Sequence, residues 1–401
     1  VNPDLERLQT YPFQKLSALL EGAAPPAERT PIALYIGEPK HPTPEFIKRA
    51  LVDHLDGLAG YPPTAGGEPL RTAIAEWLRM RYGLDAVDPL SQVIPVTGSR
   101  EALFAFAQAV VDRSKPEPIV VCPNPFYQIY EGAALLAGAA PRYLNTLPQR
   151  GYTFDFGELQ DSEWRRVQLL YVCSPGNPTG HVMTLEEWSR LFALSDRYGF
   201  VIASDECYSE IYFEEGRAPL GALQAAARLG RKGWPRLVMF SSLSKRSNVP
   251  GMRSGFVAGD SAILKRFLLY RTYHGCAMSP TVQAASAAAW KDEAHVSENR
   301  RLYREKFAAA LEILGPVMDV RMPEAGFYLW PSTPLPDPEF ARRLYQDQAV
   351  SVLPGSFLAR TAQGINPGAN RIRIALVASV DECVDAARRM RAFVERLGNG
   401  G

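Results

Sequence analysis

The stretch Phe240-Ser241-Ser242-Leu243-Ser244-Lys245-Arg246-Ser247-Asn248-Val249-Pro250-Gly251-Met252-Arg253 decides how the chain is read. It opens in the short apolar run Leu237–Ser241, which predicts a buried strand, and leaves that strand with a lysine set among hydroxyls. An arginine follows a few residues on. A lysine after a strand is ordinarily a solvated surface residue. Here the same pattern, an apolar strand followed by small or polar residues, recurs along the chain, and open α/β sheets bind ligands at such strand ends.

The other predicted strands are Val93–Thr97, Ile119–Cys122, Pro141–Leu144, Gln168–Cys173, Phe200–Ser204 and Gly255–Ala258. Most are apolar throughout, as strands covered on both faces must be. Helical periodicity fills the intervals at Arg100–Val111, Leu185–Tyr198 and Ala262–Tyr273. This alternation predicts an α/β fold, with a mostly parallel seven-stranded sheet sandwiched by helices. Beyond it, Ala284–Leu314 reads as one long helix, followed by short strands at Val317–Arg321, Phe327–Trp330, Val350–Leu353 and Ile372–Ala375 and a closing helix, Val380–Leu397. The expected organisation is an N-terminal arm with part of a small domain (1–45), a large domain (46–290) and a smaller α+β C-terminal domain (291–401). The final Gly398-Asn399-Gly400-Gly401 is expected to fray.

Three further strand ends carry chemistry. Asp205-Glu206-Cys207-Tyr208 brings a carboxylate and a phenol out together after Phe200–Ser204. Ser174-Pro175-Gly176-Asn177-Pro178-Thr179-Gly180 is an ordered non-helical turn, although a plain turn leaves its Asn177 unexplained. Thr97-Gly98-Ser99-Arg100-Glu101-Ala102 is a strand-to-helix junction whose free N–H groups and helix dipole suit a phosphate.

Composition removes several classes. Lys+Arg at 44 against Asp+Glu at 43 leaves a net charge of +1 without a basic block, so no nucleic-acid partner is expected. The first residues, Val1-Asn2-Pro3-Asp4-Leu5-Glu6-Arg7, lack an apolar h-region, and apolar runs such as Gly132–Ala140 fall short of a bilayer span. A soluble, cytoplasmic protein without membrane contact is expected. The five cysteines, Cys122, Cys173, Cys207, Cys276 and Cys383, are scattered with no C-x-x-C pair, which fits a reducing compartment. Neither H-E-x-x-H nor zinc-spaced Cys/His clusters occur, so no metal is expected.

Taken together, the four motifs resemble, in type, order and spacing, the fold-type I, class I/II aminotransferases, which use pyridoxal 5'-phosphate. The resemblance implies that Lys245 is the Schiff-base lysine and Asp205 the carboxylate paired with the pyridine nitrogen. Asn177 and Tyr208 would hydrogen-bond the ring's phenolic oxygen, and Tyr127, in Pro123-Asn124-Pro125-Phe126-Tyr127, would stack on the ring. Gly98, Ser99, Arg100, Ser242, Ser244 and Arg253 would hold the phosphate. In Asn370-Arg371-Ile372-Arg373-Ile374-Ala375-Leu376, Arg373 corresponds to the family's α-carboxylate clamp, assisted by the backbone of Gly37. Tyr61, in Gly60-Tyr61-Pro62, would reach the phosphate of a neighbouring subunit, implying a homodimer with shared active sites.

More narrowly, the chain resembles the N-succinyl-L,L-diaminopimelate aminotransferases of the lysine and cell-wall precursor pathway. That likeness rests on Gly37-Glu38-Pro39-Lys40-His41-Pro42, Pro123-Asn124-Pro125-Phe126-Tyr127-Gln128-Ile129-Tyr130, Ser244-Lys245-Arg246-Ser247-Asn248 and Tyr270-Arg271-Thr272-Tyr273-His274-Gly275. A succinylated substrate carries several carboxylates, and Lys40, Arg246 and Arg271 are the candidate cations for them. Two alternatives within the enzyme class are an aspartate, alanine or aromatic aminotransferase and a carbon–sulfur lyase. Outside it stands a non-catalytic ligand-sensing domain.

Overall fold

The computed structural model describes residues 1–399. Seven strands form the main sheet: β1 (Val93–Val96), β2 (Ile119–Asn124), β3 (Ala140–Asn145), β4 (Val167–Cys173), β5 (Val201–Asp205), β6 (Leu237–Ser242) and β7 (Gly255–Gly259). Their order is β1-β7-β6-β5-β4-β2-β3. Only β7 runs against its neighbours. Because β1 pairs antiparallel with β7, and β7 with β6, β1 points the same way as β6 and all six remaining C-terminal ends share one edge.

Side-chain alternation explains why both faces are covered. Along β4, Leu170 and Val172 pack in one core with Trp188 and Leu191, while Leu169 and Tyr171 pack in another with Phe106 and Phe267. The helices that carry this sandwich, or reach the site, are α1 (Pro12–Leu20), α2 (Ser99–Val110), α3 (Ile129–Leu136), α4 (Leu185–Tyr198), the single turn α5 (Leu243–Arg246) and α6 (Ser261–His274). A capping box starts α4: Thr184 Oγ1 accepts from Glu187 N, and a Glu187 carboxylate oxygen accepts from Thr184 N.

A second core gathers Ile32, Leu34, Tyr303, Phe307, Phe340, Val350, Ile372, Ile374 and Phe393. It is framed by α8 (Ala294–Leu314), α9 (Asp337–Gln348), α10 (Val380–Asn399) and a small antiparallel sheet of β8 (Tyr328–Leu329), β9 (Leu353–Pro354) and β10 (Ile372–Ala375), while the preceding helix α7 (Pro280–Lys291) packs in the first core through Ala285, Ala289 and Trp290. Ile32–Ala33 joins it by pairing parallel with Val350–Ser351.

Four expectations for this half are corrected. Ala284–Leu314 is two helices, because Asp292 is extended (φ −108°, ψ 125°) and its carboxylate accepts from His295 N at 3.0 Å, starting a new helix. Arg246 fastens that break: one guanidinium nitrogen donates to Ala289 O at 2.7 Å and the other to Asp292 O at 3.2 Å. Val317–Arg321 runs as turn and loop. Val350–Leu353 divides between two sheets, Val350–Ser351 pairing with the N-terminal segment and Leu353–Pro354 with β10. The last helix continues through Asn399 rather than fraying at Gly398, and residues 400 and 401 lie outside the described residues. Among the described residues no helix is long and apolar enough to cross a membrane.

Candidate active site

At the shared C-terminal edge of the sheet lies a cavity of about 370 Å³. Its walls bring together Gly37, Ser99, Arg100, Tyr127, Asn177, Asp205, Tyr208, Ser242, Ser244, Lys245, Arg253 and Arg373. Ser99, Asn177, Asp205 and Lys245 meet because strands pointing the same way deliver their following residues to one edge, while Gly37 and Arg373, 336 positions apart along the chain, reach the same cavity from the second core.

Lys245 sits in α5, whose first turn is capped by Ser242, the Ser242 hydroxyl accepting from Ser244 N at 3.0 Å. Its Nζ donates to Gly37 O at 2.6 Å. Burial, reinforced by the nearby Arg373 and Arg253 charges and opposed by Cys207 and Glu38, brings this amine down to about 8. A lysine so placed holds a usable fraction of free amine near neutrality.

Asp205 ends β5 and is buried. Burial raises its proton affinity, while the Tyr130 hydroxyl, donating to Oδ2 at 2.7 Å, and Cys207 N, donating to Oδ1 at 3.2 Å, hold it down. Tyr130 is itself fixed by stacking on Tyr171 at 4.6 Å between centroids. Tyr208, whose phenol is pushed up by burial, lies 3.0 Å oxygen to oxygen from Tyr328. Arg373 donates to Asn177 Oδ1 at 3.0 Å and to Tyr35 O at 2.8 Å, while its Nε is buried without a partner. A buried guanidinium with spare donor capacity is suited to an incoming carboxylate.

On the far wall, α2 starts with no side-chain cap, leaving its first N–H groups open to the cavity side. Gly98, at φ 101°, makes that approach possible, because a Cβ there would overlap the Arg253 guanidinium. Arg253 also donates to Glu101 at 3.0 Å, and Arg100 Nε donates to the Tyr127 hydroxyl at 2.6 Å.

The cofactor implied by the sequence fits these walls. An uncapped helix N-terminus, two serine hydroxyls and a guanidinium make a phosphate cradle; a buried carboxylate stands ready for a ring nitrogen; and a depressed lysine faces the same space.

Five expected contacts, Gly98, Lys40, Tyr61, Arg246 and Arg271, are not among the residues lining the cavity. Lys40 is half exposed and pairs with Glu38 at 3.3 Å. Arg246, expected at the site mouth, is buried against Trp77 and Trp290, where it supports the helix break. Arg271, also expected there, is buried with one nitrogen donating to Cys276 O at 2.7 Å. Both corrections have one cause: planar guanidinium groups are readily retained in cores beside aromatic rings and carbonyls. Tyr61 is fully exposed and outside the cavity of its own chain.

Sequence reasoning missed Tyr11, Phe13, Glu38, Tyr130, Cys207 and Tyr328, all of which line the cavity. Tyr130 lies one helical turn beyond Tyr127, and Cys207 lies between two assigned residues, so spacing offered a signal for both. Nothing in their local sequence brings Tyr11 and Phe13 to the site.

Fold and site together define a transaminase architecture, and the Aminotransferase class I and II family profile matches residues 29–391. The chain belongs to this family, whose members use pyridoxal phosphate, and is a pyridoxal-phosphate-dependent aminotransferase. A crystal structure of an aminotransferase from Neisseria meningitidis is similar at 52% identity and TM-score 0.95, covering 98% of this chain and 100% of that one. The solved structure of a probable N-succinyldiaminopimelate aminotransferase from Thermus thermophilus is similar at 26% identity and TM-score 0.84, covering 95% of this chain and 99% of that one. Among curated relatives, the 4-dedimethylamino-4-oxo-anhydrotetracycline transaminase OxyQ of Streptomyces rimosus is 34% identical, over 90% of this chain and 92% of that one. The LL-diaminopimelate aminotransferase of Maridesulfovibrio salexigens is 28% identical, over 90% of each.

Proposed function

We propose that the chain exchanges an amino group between glutamate/2-oxoglutarate and N-succinyl-L,L-2,6-diaminopimelate/N-succinyl-2-amino-6-oxopimelate, in two half-reactions at one site. The observation that carries this reading is the distribution of cation: Arg100, Arg253 and Arg373 all line the cavity. With Arg253 assigned to phosphate and Arg373 to the α-carboxylate, the Arg100 side chain remains to meet a further carboxylate. The Thermus and Maridesulfovibrio relatives, both named for diaminopimelate substrates, support the same direction.

Bound pyridoxal phosphate supplies the electrophilic carbon that receives the amino group and a protonated ring that draws electrons from the neighbouring C–H bond. The residues do the rest. Gly98, Ser99 and Arg100 at the start of α2, with Ser242, Ser244 and Arg253, would anchor the phosphate, and Tyr127 would pack against the ring. Asp205 would keep the ring nitrogen protonated, and Asn177 and Tyr208 would donate toward the phenolic oxygen. Lys245 Nζ would hold the cofactor and serve as the base for the substrate Cα proton. Arg373, with Gly37, fixes the α-carboxylate so that this bond faces Nζ. Lys40, which lies outside the cavity lining and pairs with Glu38, would have to leave that carboxylate to assist Arg100 at the distal carboxylates, and Tyr61 is assigned to the neighbouring subunit's phosphate in a homodimer.

An aromatic amino donor is the second reading, favoured by Tyr11, Phe13, Ile36 and Leu358 in the cavity lining. Adding single amino acids to the loaded enzyme and following cofactor absorbance separates the two. Glutamate and N-succinyl-diaminopimelate are both expected to convert the cofactor to its amine form. Conversion by phenylalanine or tyrosine with no response to the succinylated substrate would replace the first reading with the second.

A further inference from the structure

Behind the cavity, a histidine with no part in the chemistry ties two segments together. His181 directly follows the Ser174–Gly180 loop, and its ring lies between two carboxylates, with Nε2 3.1 Å from Glu187 and Nδ1 2.9 Å from Glu324. Glu187 is fixed in the first turn of α4 by the capping box. Glu324 precedes β8, and its carboxylate also accepts from Val182 N at 2.9 Å. Backbone bonds reinforce the seam: Gly176 N donates to His181 O at 2.9 Å and Ala325 N to Gly180 O at 3.2 Å.

A neutral imidazole has one N–H and satisfies one carboxylate, whereas an imidazolium satisfies both. The charged groups facing this ring are Glu187 from α4 and Glu324 from the segment before β8, and both favour the cation. Burial opposes them and loses, leaving His181 raised to about 9.

The stapled segments share one target. The loop carries Asn177, which accepts from Arg373 at 3.0 Å. The other segment continues into Tyr328, whose ring centroid lies 4.5 Å from the Arg373 guanidinium carbon. We propose that His181 is a positioning residue for substrate binding: as an imidazolium between Glu187 and Glu324 it fixes the spacing of the Asn177 loop and the Tyr328 strand, and through them the aim of Arg373. This rests on the reading of Arg373 as the carboxylate clamp.

A clamp that holds the substrate equally before and during reaction changes KM rather than kcat. The sign follows from the raised value: the ring is protonated and the staple complete at neutrality, and it is lost as pH rises through about 9. The test measures KM and kcat for glutamate with the cofactor-loaded enzyme between about pH 7 and 10, alongside NMR titration of the His181 ring. Wild type, Glu324→Gln and His181→Gln are compared. Glu324 is exposed, so its amide variant is expected to fold. In wild type, KM is expected to rise roughly fivefold along with the ring titration, at nearly constant kcat. Glu324→Gln is expected to move both transitions to lower pH, and His181→Gln to show the raised KM already at neutrality. A Glu324→Gln enzyme whose ring titration shifts while its KM profile stays in place would overturn the proposal, as would His181→Gln with wild-type KM. Failure of the premise reads differently: Arg373→Ala with unchanged KM for glutamate would remove the clamp, and the proposal with it, while leaving the ring titration untouched.

Discussion

Tyr130 sets how strongly Asp205 holds its charge. Its hydroxyl is the nearest side-chain donor to a carboxylate that burial otherwise drives toward protonation. Removing that donor should raise the proton affinity of Asp205, so that its charge is lost sooner as pH falls. Tyr130→Phe is therefore expected to shift the acid limb of the kcat/KM profile to higher pH and to lower kcat about tenfold, the effect of one buried hydrogen bond. Superimposable acid limbs would contradict the role. Tyr130 also marks how far single residues were legible in the sequence. Lys245, Asp205 and Asn177 stood at strand ends within motifs, and the cavity includes all three. Tyr130 was signalled by its place one helical turn beyond Tyr127, whereas Tyr328, Tyr11 and Phe13 reach the cavity through packing between elements, which local sequence does not encode.

Strands β6 and β7 place the lysine turn, and their spacing depends on Gly255. It is the register partner of Ser242, and a Cβ on it would overlap Ser241 O on the facing strand. Gly255→Ala is expected to part the strands at the point where α5 begins, costing about 1–3 kcal/mol of stability. Cofactor affinity should fall with it, because Ser242 and Ser244 move with the strand end; thermal unfolding of loaded and cofactor-free enzyme measures both. An unchanged difference in melting temperature between the two forms would mean the turn tolerates the shift. Most strands of this sheet were legible because they are buried apolar runs, those of Val167–Cys173, Val201–Asp205 and Leu237–Ser242 running into polar residues; the edge strand Ala140–Asn145 is only half-buried over its first four residues. The second core was less so. Its strands are only two to four residues long, and Asp292 broke a helix that Ala-rich composition suggested was continuous.

At the scale of the whole molecule, Val52, Leu55, Leu58 and Tyr61 are exposed apolar side chains within one short segment, and Leu269 and Tyr273 are exposed on α6. Such a grouping suits a surface covered by a second copy. If Tyr61 serves the neighbouring site, mixing a Tyr61→Ala chain with a Lys245→Ala chain should restore activity, since each hybrid dimer then holds one complete site. Mixtures no more active than the Tyr61→Ala parent would confine Tyr61 to its own chain. All of this presupposes a covalent bond between one lysine and the cofactor aldehyde. The most direct test is borohydride reduction of the loaded enzyme followed by peptide mapping. The account predicts a pyridoxyl group on Lys245 and on no other residue; a label elsewhere, or an unmodified Lys245, would contradict it.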